Sequence, residues 1–330
     1  MTGPVRWGFL GAGRIAVEAL APAVHAADGA VLHAAAARDV HRAAALQPAE
    51  AAYGSYAELL ADPSVDAVYI ALGNDAHRPW SEAALRAGKH VLCEKPLALS
   101  AAEVDSMAEV ALHADRLLVE ASWYRWHPRV RLAQRLLGEG AIGPTRRVLA
   151  GFSFQGIAEG NYRLDPAMGG GALYDVGCYA VSAALWAFGD RVPVDVAARV
   201  DWGTTGIDER AELIVGFDGG DAEVHAGVAE PVRQFLIITG EYGEIELRES
   251  PFTAWRAEAS ELWVSTAAGT ERLAVPPADA YQLMVEELSM RIRGGEGYVV
   301  PLAESRAGAA VLDAAFASAR DGGAPAPVLP

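Results

Sequence analysis

Cysteine is scarce in this 330-residue chain: Cys93 and Cys178 are the two. Two thiols cannot build a disulfide framework, and they fit a reducing compartment as small buried hydrophobes. Basic residues are also under-represented, with 27 Lys and Arg against 43 Asp and Glu, a formal net charge of −16. An acidic surface repels phosphate backbones, so nucleic acid is not an expected partner. No apolar run reaches the roughly 18–20 residues of a membrane-spanning helix. The start, Met1-Thr2-Gly3-Pro4-Val5-Arg6, lacks the basic and apolar regions of a signal peptide. No membrane partner is expected, and the expected location is cytoplasmic. Missing too are the G-x-x-x-x-G-K-[ST] phosphate loop, the G-x-S-x-G elbow and the H-E-x-x-H zinc pair. His77 and His127 lack metal-ligand spacing, so no metal is expected. What the chain has in quantity is apolar residue, 52% against 21% charged, enough for a real core.

At roughly 100–200 residues per domain, the length corresponds to two domains. Short apolar runs over 5–10, 31–37, 66–72, 90–93 and 117–120 predict buried strands. Between them, helices are predicted over 14–25, 57–60 and 79–87, and from the Ser100/Glu103 capping box to about 113. That alternation predicts a parallel sheet covered on both faces. Beyond about 122 the rhythm changes. Helices are expected over 127–137, 172–188, 280–292 and 303–320, and a half-buried strand over 147–154. Strand-like segments with Gly and Asp turns over 194–275 favour an antiparallel or mixed sheet. The tail over 322–330, rich in Gly, Pro and Ala, is expected to be loose.

The first strand runs into Gly11-Ala12-Gly13-Arg14-Ile15-Ala16, a G-x-G-x-x-A turn that opens a helix. Gly11 permits the tight turn, Gly13 lets the backbone approach a pyrophosphate, and Ala16 permits close helix–strand packing. Free N–H groups at the helix start complete an anion site. A dinucleotide is therefore expected here, with Ala12, Arg14 and Ile15 along the turn. The second strand ends Ala36-Ala37-Arg38-Asp39. An acidic strand end would take the ribose 2′-OH; here the position is neutral, and Arg38 can pair a 2′-phosphate. Asp39 pulls the other way, because a one-residue change of register makes it the ribose ligand. NADP is the expected cofactor and NAD the alternative.

Two later segments carry reactive groups. Gly88-Lys89-His90-Val91-Leu92-Cys93-Glu94-Lys95-Pro96 delivers Glu94 and Lys95 at a strand's C-terminal end, where open α/β sheets hold ligands. Gly169-Gly170-Gly171-Ala172-Leu173-Tyr174-Asp175-Val176-Gly177-Cys178-Tyr179 runs from a triple glycine into a helix, with Asp175 and Tyr179 on one face. The glycine turn and these two segments occur with Asp66-Ala67-Val68-Tyr69-Ile70, Asn74 and His77, Trp123 to Pro128, Gly140-Ala141-Ile142-Gly143 and Arg163-Leu164-Asp165-Pro166. Together, in that order and over almost the whole chain, they resemble the Gfo/Idh/MocA oxidoreductases (glucose–fructose oxidoreductase, inositol dehydrogenase and relatives).

The resemblance implies an α/β chain. Residues 1–121 would form a Rossmann dinucleotide-binding domain. Residues 122–330 would form an α+β substrate-binding and oligomerisation domain with an open, mostly antiparallel sheet, the last helix packing back on the first domain. Association through the exposed sheet face would give a homodimer or homotetramer. Leu72, Asn74, His77, Glu94 and Lys95 would join the glycine turn and Arg38 in holding the cofactor. Trp123 and Arg163 would join Lys95, Asp175 and Tyr179 around a sugar or polyol. Tyr179 stands where many members carry His. The tyrosine form is that of D-xylose 1-dehydrogenases, dihydrodiol dehydrogenases and sugar-nucleotide 3-ketoreductases. The sequence departs from the pattern at Gly73, where proline often precedes the Asn, and at Ala37, where serine often precedes the Arg. The long N-terminal arm of exported glucose–fructose oxidoreductases has no counterpart, so that activity is not expected.

The residue chemistry agrees. Oxidising an alcohol needs a hydride acceptor and a base for the hydroxyl proton. A tyrosine's ordinary pKa of about 10 is too high for that task, and a nearby ammonium favours the phenolate. Tyr179 is the expected acid/base and Lys95 its electrostatic partner. Asp175 either accepts a substrate hydroxyl or orients Lys95. Glu94 is expected to bond backbone groups under the cofactor, Arg163 and Asp165 to close the pocket, and Cys93 to be structural. Tyr281 and Gln282 are further candidates for substrate contact. The expected reaction moves hydride between nicotinamide and a carbinol carbon of a sugar, as in D-xylose 1-dehydrogenase. Reduction of a keto-sugar nucleotide and oxidation of a trans-dihydrodiol are the alternatives, and a non-catalytic dinucleotide sensor is the alternative of another class.

Overall fold

The computed structural model describes residues 3–255 and 259–329; Met1, Thr2 and Pro330, which belong to the readings of the two chain ends, lie outside them. The chain divides into two compact units. The first takes Met1–Ala98, Ala102–Trp126 and Asp279–Leu302; the second takes Leu99–Ala101, His127–Ala278 and Ala303–Pro330.

The strands of the first unit are β1 (Val5–Leu10), β2 (Ala30–Ala36), β3 (Ala51–Tyr53), β4 (Ala67–Ile70), β5 (His90–Cys93) and β6 (Leu118–Glu120). Among the described residues they form one parallel sheet in the order β3-β2-β1-β4-β5-β6. Its helices are α1 (Ala21–Ala26), entered through a π-helical turn at Ala16–Leu20, then α2 (Val40–Ala44), α3 (Tyr56–Ala61), α4 (His77–Arg86) and α5 (Ala101–Ala114). Trp7, Phe9 and Leu10 of β1 are wholly buried, as strands covered on both faces must be. The alanines of β2 are poor strand formers. Ala34, Ala35 and Ala36 are nonetheless strand residues, paired on both sides and wholly buried, so tertiary placement outweighs propensity.

The second unit contains α6 (Pro128–Gly138), β7 (Thr145–Ser153), a π-helical turn (Leu173–Gly177) leading into α7 (Cys178–Phe188), β8 (Pro193–Trp202), β9 (Asp208–Phe217), β10 (Gly220–Gly227), β11 (Arg233–Gly240), β12 (Gly243–Leu247), β13 (Ser260–Thr266) and β14 (Gly269–Val275). Two helices, α8 (Ala280–Ile292) and α9 (Leu302–Arg320), and the short β15 (Ala326–Pro327) follow. Of the closing helices, α9 belongs to the second unit and α8 to the first, where the Trp7 indole donates to Ser289 Oγ at 3.1 Å. The second sheet runs β14-β13-β12-β11-β7-β10-β9-β8-β15. It is mixed: β7 and β10 are parallel and the other pairs antiparallel. Alternation in β9 buries Ala211, Leu213, Val215 and Phe217 and exposes the other face, a pattern antiparallel sheets permit.

Two expectations need correction. The tail is not loose over its described length: β15 pairs with β8, and Val328 N–H bonds Val194 O at 2.9 Å. Pro327 lacks a donor, which an edge strand tolerates. In addition, Pro166–Phe188 is long and apolar enough to cross a membrane, although the sequence suggested no such run; its most apolar stretch of 18 residues is 83% buried, as in a core helix.

Candidate active site

In the first unit the glycine turn follows β1 where the strand order reverses, between β2 and β4. Gly11 has φ +103°, and an added Cβ would lie 2.4 Å from Ala71 O, so only glycine fits. An added Cβ at Gly13 would meet nothing nearer than Ala71 O at 4.0 Å, which leaves open ground over the turn. Ala16 is wholly buried, Ile15 half-buried and Arg14 exposed. Leu72 is half-buried beside Gly11, and Gly73 takes φ −67°, a value proline would also adopt. Asn74 is buried at the start of a 3₁₀ turn.

The second-strand ambiguity acquires a physical basis. Asp39 is the N-cap of α2, its Oδ1 accepting the His41 N–H at 2.9 Å. That engagement, beyond the end of β2 at Ala36, weighs against a ribose role. Arg38 is exposed. Arg42, passed over in the sequence, donates from Nη2 to Ala12 O at 2.6 Å and brings a second guanidinium to the turn. Its only sequence signal is its spacing of four from Arg38.

At the end of β5, His77 takes a place other than the one expected. His77 is wholly buried and bonds Pro96 O through Nδ1 at 2.8 Å, so it ties α4 to the Lys95-Pro96 segment and offers no surface to a cofactor. Burial lowers its pKa to about 4, against the opposing pull of the Pro96 and Leu72 carbonyls, so the ring is neutral. Glu94 accepts the Tyr69 hydroxyl at 2.6 Å and also a backbone N–H, that of Lys95. Burial pushes the Glu94 carboxyl up, opposed by Tyr69 and by Lys95. Burial, then the charge of Glu94, holds the Tyr69 phenol well above its ordinary range. Lys95 itself is half-buried. Trp123 is buried and stacks on Tyr281, centroids 4.4 Å apart, so both rings pack against each other. Gln282 is spent on Ala26 O at 3.3 Å and Glu286 at 2.8 Å.

In the second unit the triple glycine leads into the π turn and α7. Gly177 lets that turn lie close on the sheet: an added Cβ would sit 3.3 Å from the Ala226 Cβ. Asp175 is buried, and Arg163 Nε donates to its Oδ2 at 2.6 Å. Arg163 therefore acts on Asp175; its pKa is raised although burial, the largest influence, lowers it, because Asp175 outweighs that cost. Tyr179 is also an electrostatic neighbour of Arg163, and its ring lies 5.7 Å from Phe152 and 5.9 Å from Phe252. Asp165 caps its own 3₁₀ turn by accepting the Ala167 N–H at 2.9 Å, which accounts for its carboxylate without pocket closure.

Asp208 had no signal in the sequence. It is 1% exposed, and Oδ2 accepts the Leu173 N–H at 2.6 Å. Its Oδ1 occupies the space of an added Gly171 Cβ, 1.9 Å away, where φ is +114°. This carboxylate holds the start of the helix that carries Asp175 and Tyr179. Burial raises its pKa from 3.8 to about 7, against the N–H groups it accepts. Unfolded, the group loses its proton near the lower value, so between the two the native state binds more protons and stability falls as pH rises. The unfolding free energy of wild type minus Asp208→Asn should decline by up to about 4 kcal/mol from pH 4 to pH 7 in urea titrations. A difference that does not change with pH removes this role for ionisation.

The residues present suit a dinucleotide. The glycine turn is side-chain-free where a pyrophosphate approaches, and the first N–H groups of the following helix have no acceptor within it. A doubly wound sheet with this cradle defines a dinucleotide-binding protein. Residues 5–121 match the model of the NAD-binding Rossmann fold of the GFO_IDH_MocA oxidoreductase family, and 130–246 match that of the GFO/IDH/MocA C-terminal domain. The chain belongs to the Gfo/Idh/MocA family. It is 36% identical over 326 residues to D-xylose 1-dehydrogenase (NADP(+)) 2 of Haloferax volcanii, covering 96% of this chain and 98% of that one. It is 32% identical to the trans-1,2-dihydrobenzene-1,2-diol dehydrogenase of Mus musculus, covering 94% and 96%. The structure is similar to that of KijD10, a 3-ketoreductase from Actinomadura kijaniata in complex with NADP and TDP-benzene. That match has a TM-score of 0.87 and 27% identity and covers 96% and 98% of the two chains.

Proposed function

We propose that this protein is an NADP-dependent sugar dehydrogenase acting as the D-xylose 1-dehydrogenases do. The observation that carries the reading is the Asp175–Tyr179 face beyond the triple glycine, in a chain alike over 96% of its length to a D-xylose 1-dehydrogenase. When bound, the nicotinamide accepts or supplies the hydride. Tyr179 Oη takes the hydroxyl proton in oxidation and returns it in reduction. The Lys95 ammonium favours the phenolate that does so. Asp175, steadied by Arg163, accepts a hydrogen bond from a substrate hydroxyl. Gly11, Ala12 and Gly13 face the pyrophosphate, and Arg38 with Arg42 takes the 2′-phosphate. His77 and Glu94 support the segment bearing Lys95 rather than touch the ligand.

The test is turnover of D-xylose, other aldoses, a trans-dihydrodiol and a dTDP-keto-sugar with each nicotinamide, followed by absorbance of the reduced cofactor. NADP+ reduction should be fastest with D-xylose. Keto-sugar reduction is the second reading, favoured by the structural likeness to KijD10. Cofactor binding without turnover of any of these compounds would leave a sensor instead. We also propose self-association, as a homodimer or homotetramer, through the open face of the second sheet, where Ile214 (54%) and Val232 (73%) are exposed.

A further inference from the structure

Arg129, on α6, is a cation with 1% exposure. Removing a guanidinium from water is costly unless its donors are satisfied. Here carbonyls take up Nη1 and Nη2, while Nε is buried with no partner among the described residues. Nη1 donates to Arg248 O at 2.8 Å and Glu249 O at 3.1 Å and reaches Glu261 O at 3.4 Å, while Nη2 donates to Ser250 O at 2.9 Å. Burial lowers its pKa to about 10, opposed by the charges of Glu249 and Glu261, so it stays protonated. Three of those carbonyls lie in a costly turn: Glu249 has φ +51° and Ser250 φ +44°, a region that side-chain-bearing residues avoid. Such a backbone persists only where its surroundings over-determine it. A planar fork with several N–H groups can gather these carbonyls; a point-like ammonium matches them less well.

The turn is clamped on its other side by Gln234 of β11. Its Oε1 accepts the Phe252 N–H at 3.1 Å, and its Nε2 donates to Thr253 Oγ1 at 2.7 Å. Between the clamps sits Phe252, wholly buried. Its ring lies 5.9 Å from that of Tyr179 and 6.2 Å from that of Phe152, which also faces Tyr179. We infer that Arg129 is a positioning residue for Tyr179, acting through the turn at 248–252 and Phe252 to hold the phenol in its aromatic socket. The functional consequence rests on the acid/base reading of Tyr179; the socket itself does not.

NMR of protein carrying ring-labelled tyrosine tests the socket, the Tyr179 signal being assigned by its loss in Tyr179→Phe. Phe252→Leu should move that signal by removing a neighbouring ring current. Arg129→Met should move it too while the remaining tyrosine signals stay in place, and the double variant should move it no further than Phe252→Leu alone. With D-xylose and NADP+, Arg129→Met should lower kcat roughly 10- to 100-fold at unchanged KM for NADP+, with partial recovery in Arg129→Lys. A Tyr179 signal that moves in Phe252→Leu but not in Arg129→Met overturns the inference, as does full kcat in Arg129→Met. If Arg129→Met does not fold, Arg129→Gln, which retains N–H donors, is read by the same signals. If Tyr179→Phe retains activity, or D-xylose is not turned over, the acid/base or substrate reading fails and the NMR result still decides the socket.

Discussion

Tyr179→Phe is expected to lower kcat by about 10²- to 10⁴-fold, the usual range for a lost general acid/base, while the Kd for NADPH stays as in wild type. The substitution removes one oxygen and retains the ring that packs between Phe152 and Phe252, so the aromatic contacts persist. Lys95→Met should have a comparable effect on kcat, because without the ammonium the phenolate becomes scarce near neutral pH. The two differ in pH response. Lys95→Met should regain rate as pH rises and the phenol ionises unaided, whereas Tyr179→Phe should stay inactive throughout. Full activity in either variant, with the wild type turning over, would remove that residue from the chemistry. A variant that only raises KM would mark a binding role.

Cofactor choice should change with two arginines. Arg38→Ala/Arg42→Ala is expected to lower kcat/KM for NADP+ by about 100-fold or more, since each charge-assisted bond to a phosphate contributes roughly 1.5–3 kcal/mol. Values for NAD+ should fall far less. Arg42 needs that control because it also bonds Ala12 O. Any distortion of the turn would injure NAD+ and NADP+ alike, the pyrophosphate being common to both, whereas loss of a 2′-phosphate contact injures NADP+ alone. Asp39→Ala should leave the NAD+ value unchanged except for the weaker cap on α2. Equal losses with both cofactors would disprove the arginine assignment.

Much of the frame was legible from local pattern. β1 and β5 fall where the apolar runs 5–10 and 90–93 predict them, because a strand buried on both faces needs an unbroken apolar run. Glycine was informative at Gly11 because a positive φ and a backbone oxygen at 2.4 Å leave no alternative residue. Other features were illegible for equally physical reasons. β3, three residues long, and β15, an Ala-Pro pair, are too short for any periodicity to show. The helices predicted over 14–25 and 172–188 each contain a π-helical turn, and a single such turn of five residues carries no side-chain periodicity that separates it from a regular one.

Local order thus established the phosphate cradle, the alternation of strand and helix, and the two chain segments that bear Lys95 and Tyr179. Which charged groups are engaged by the backbone was decided in three dimensions: Asp39 at a helix start, Asp208 under another, Arg42 on Ala12 O, Arg129 on a strained turn. Amides and carbonyls are identical at every position, so a side chain that binds one leaves no complementary residue type to read. Only folding brings Arg129 to Arg248, 119 positions away, and makes its charge affordable.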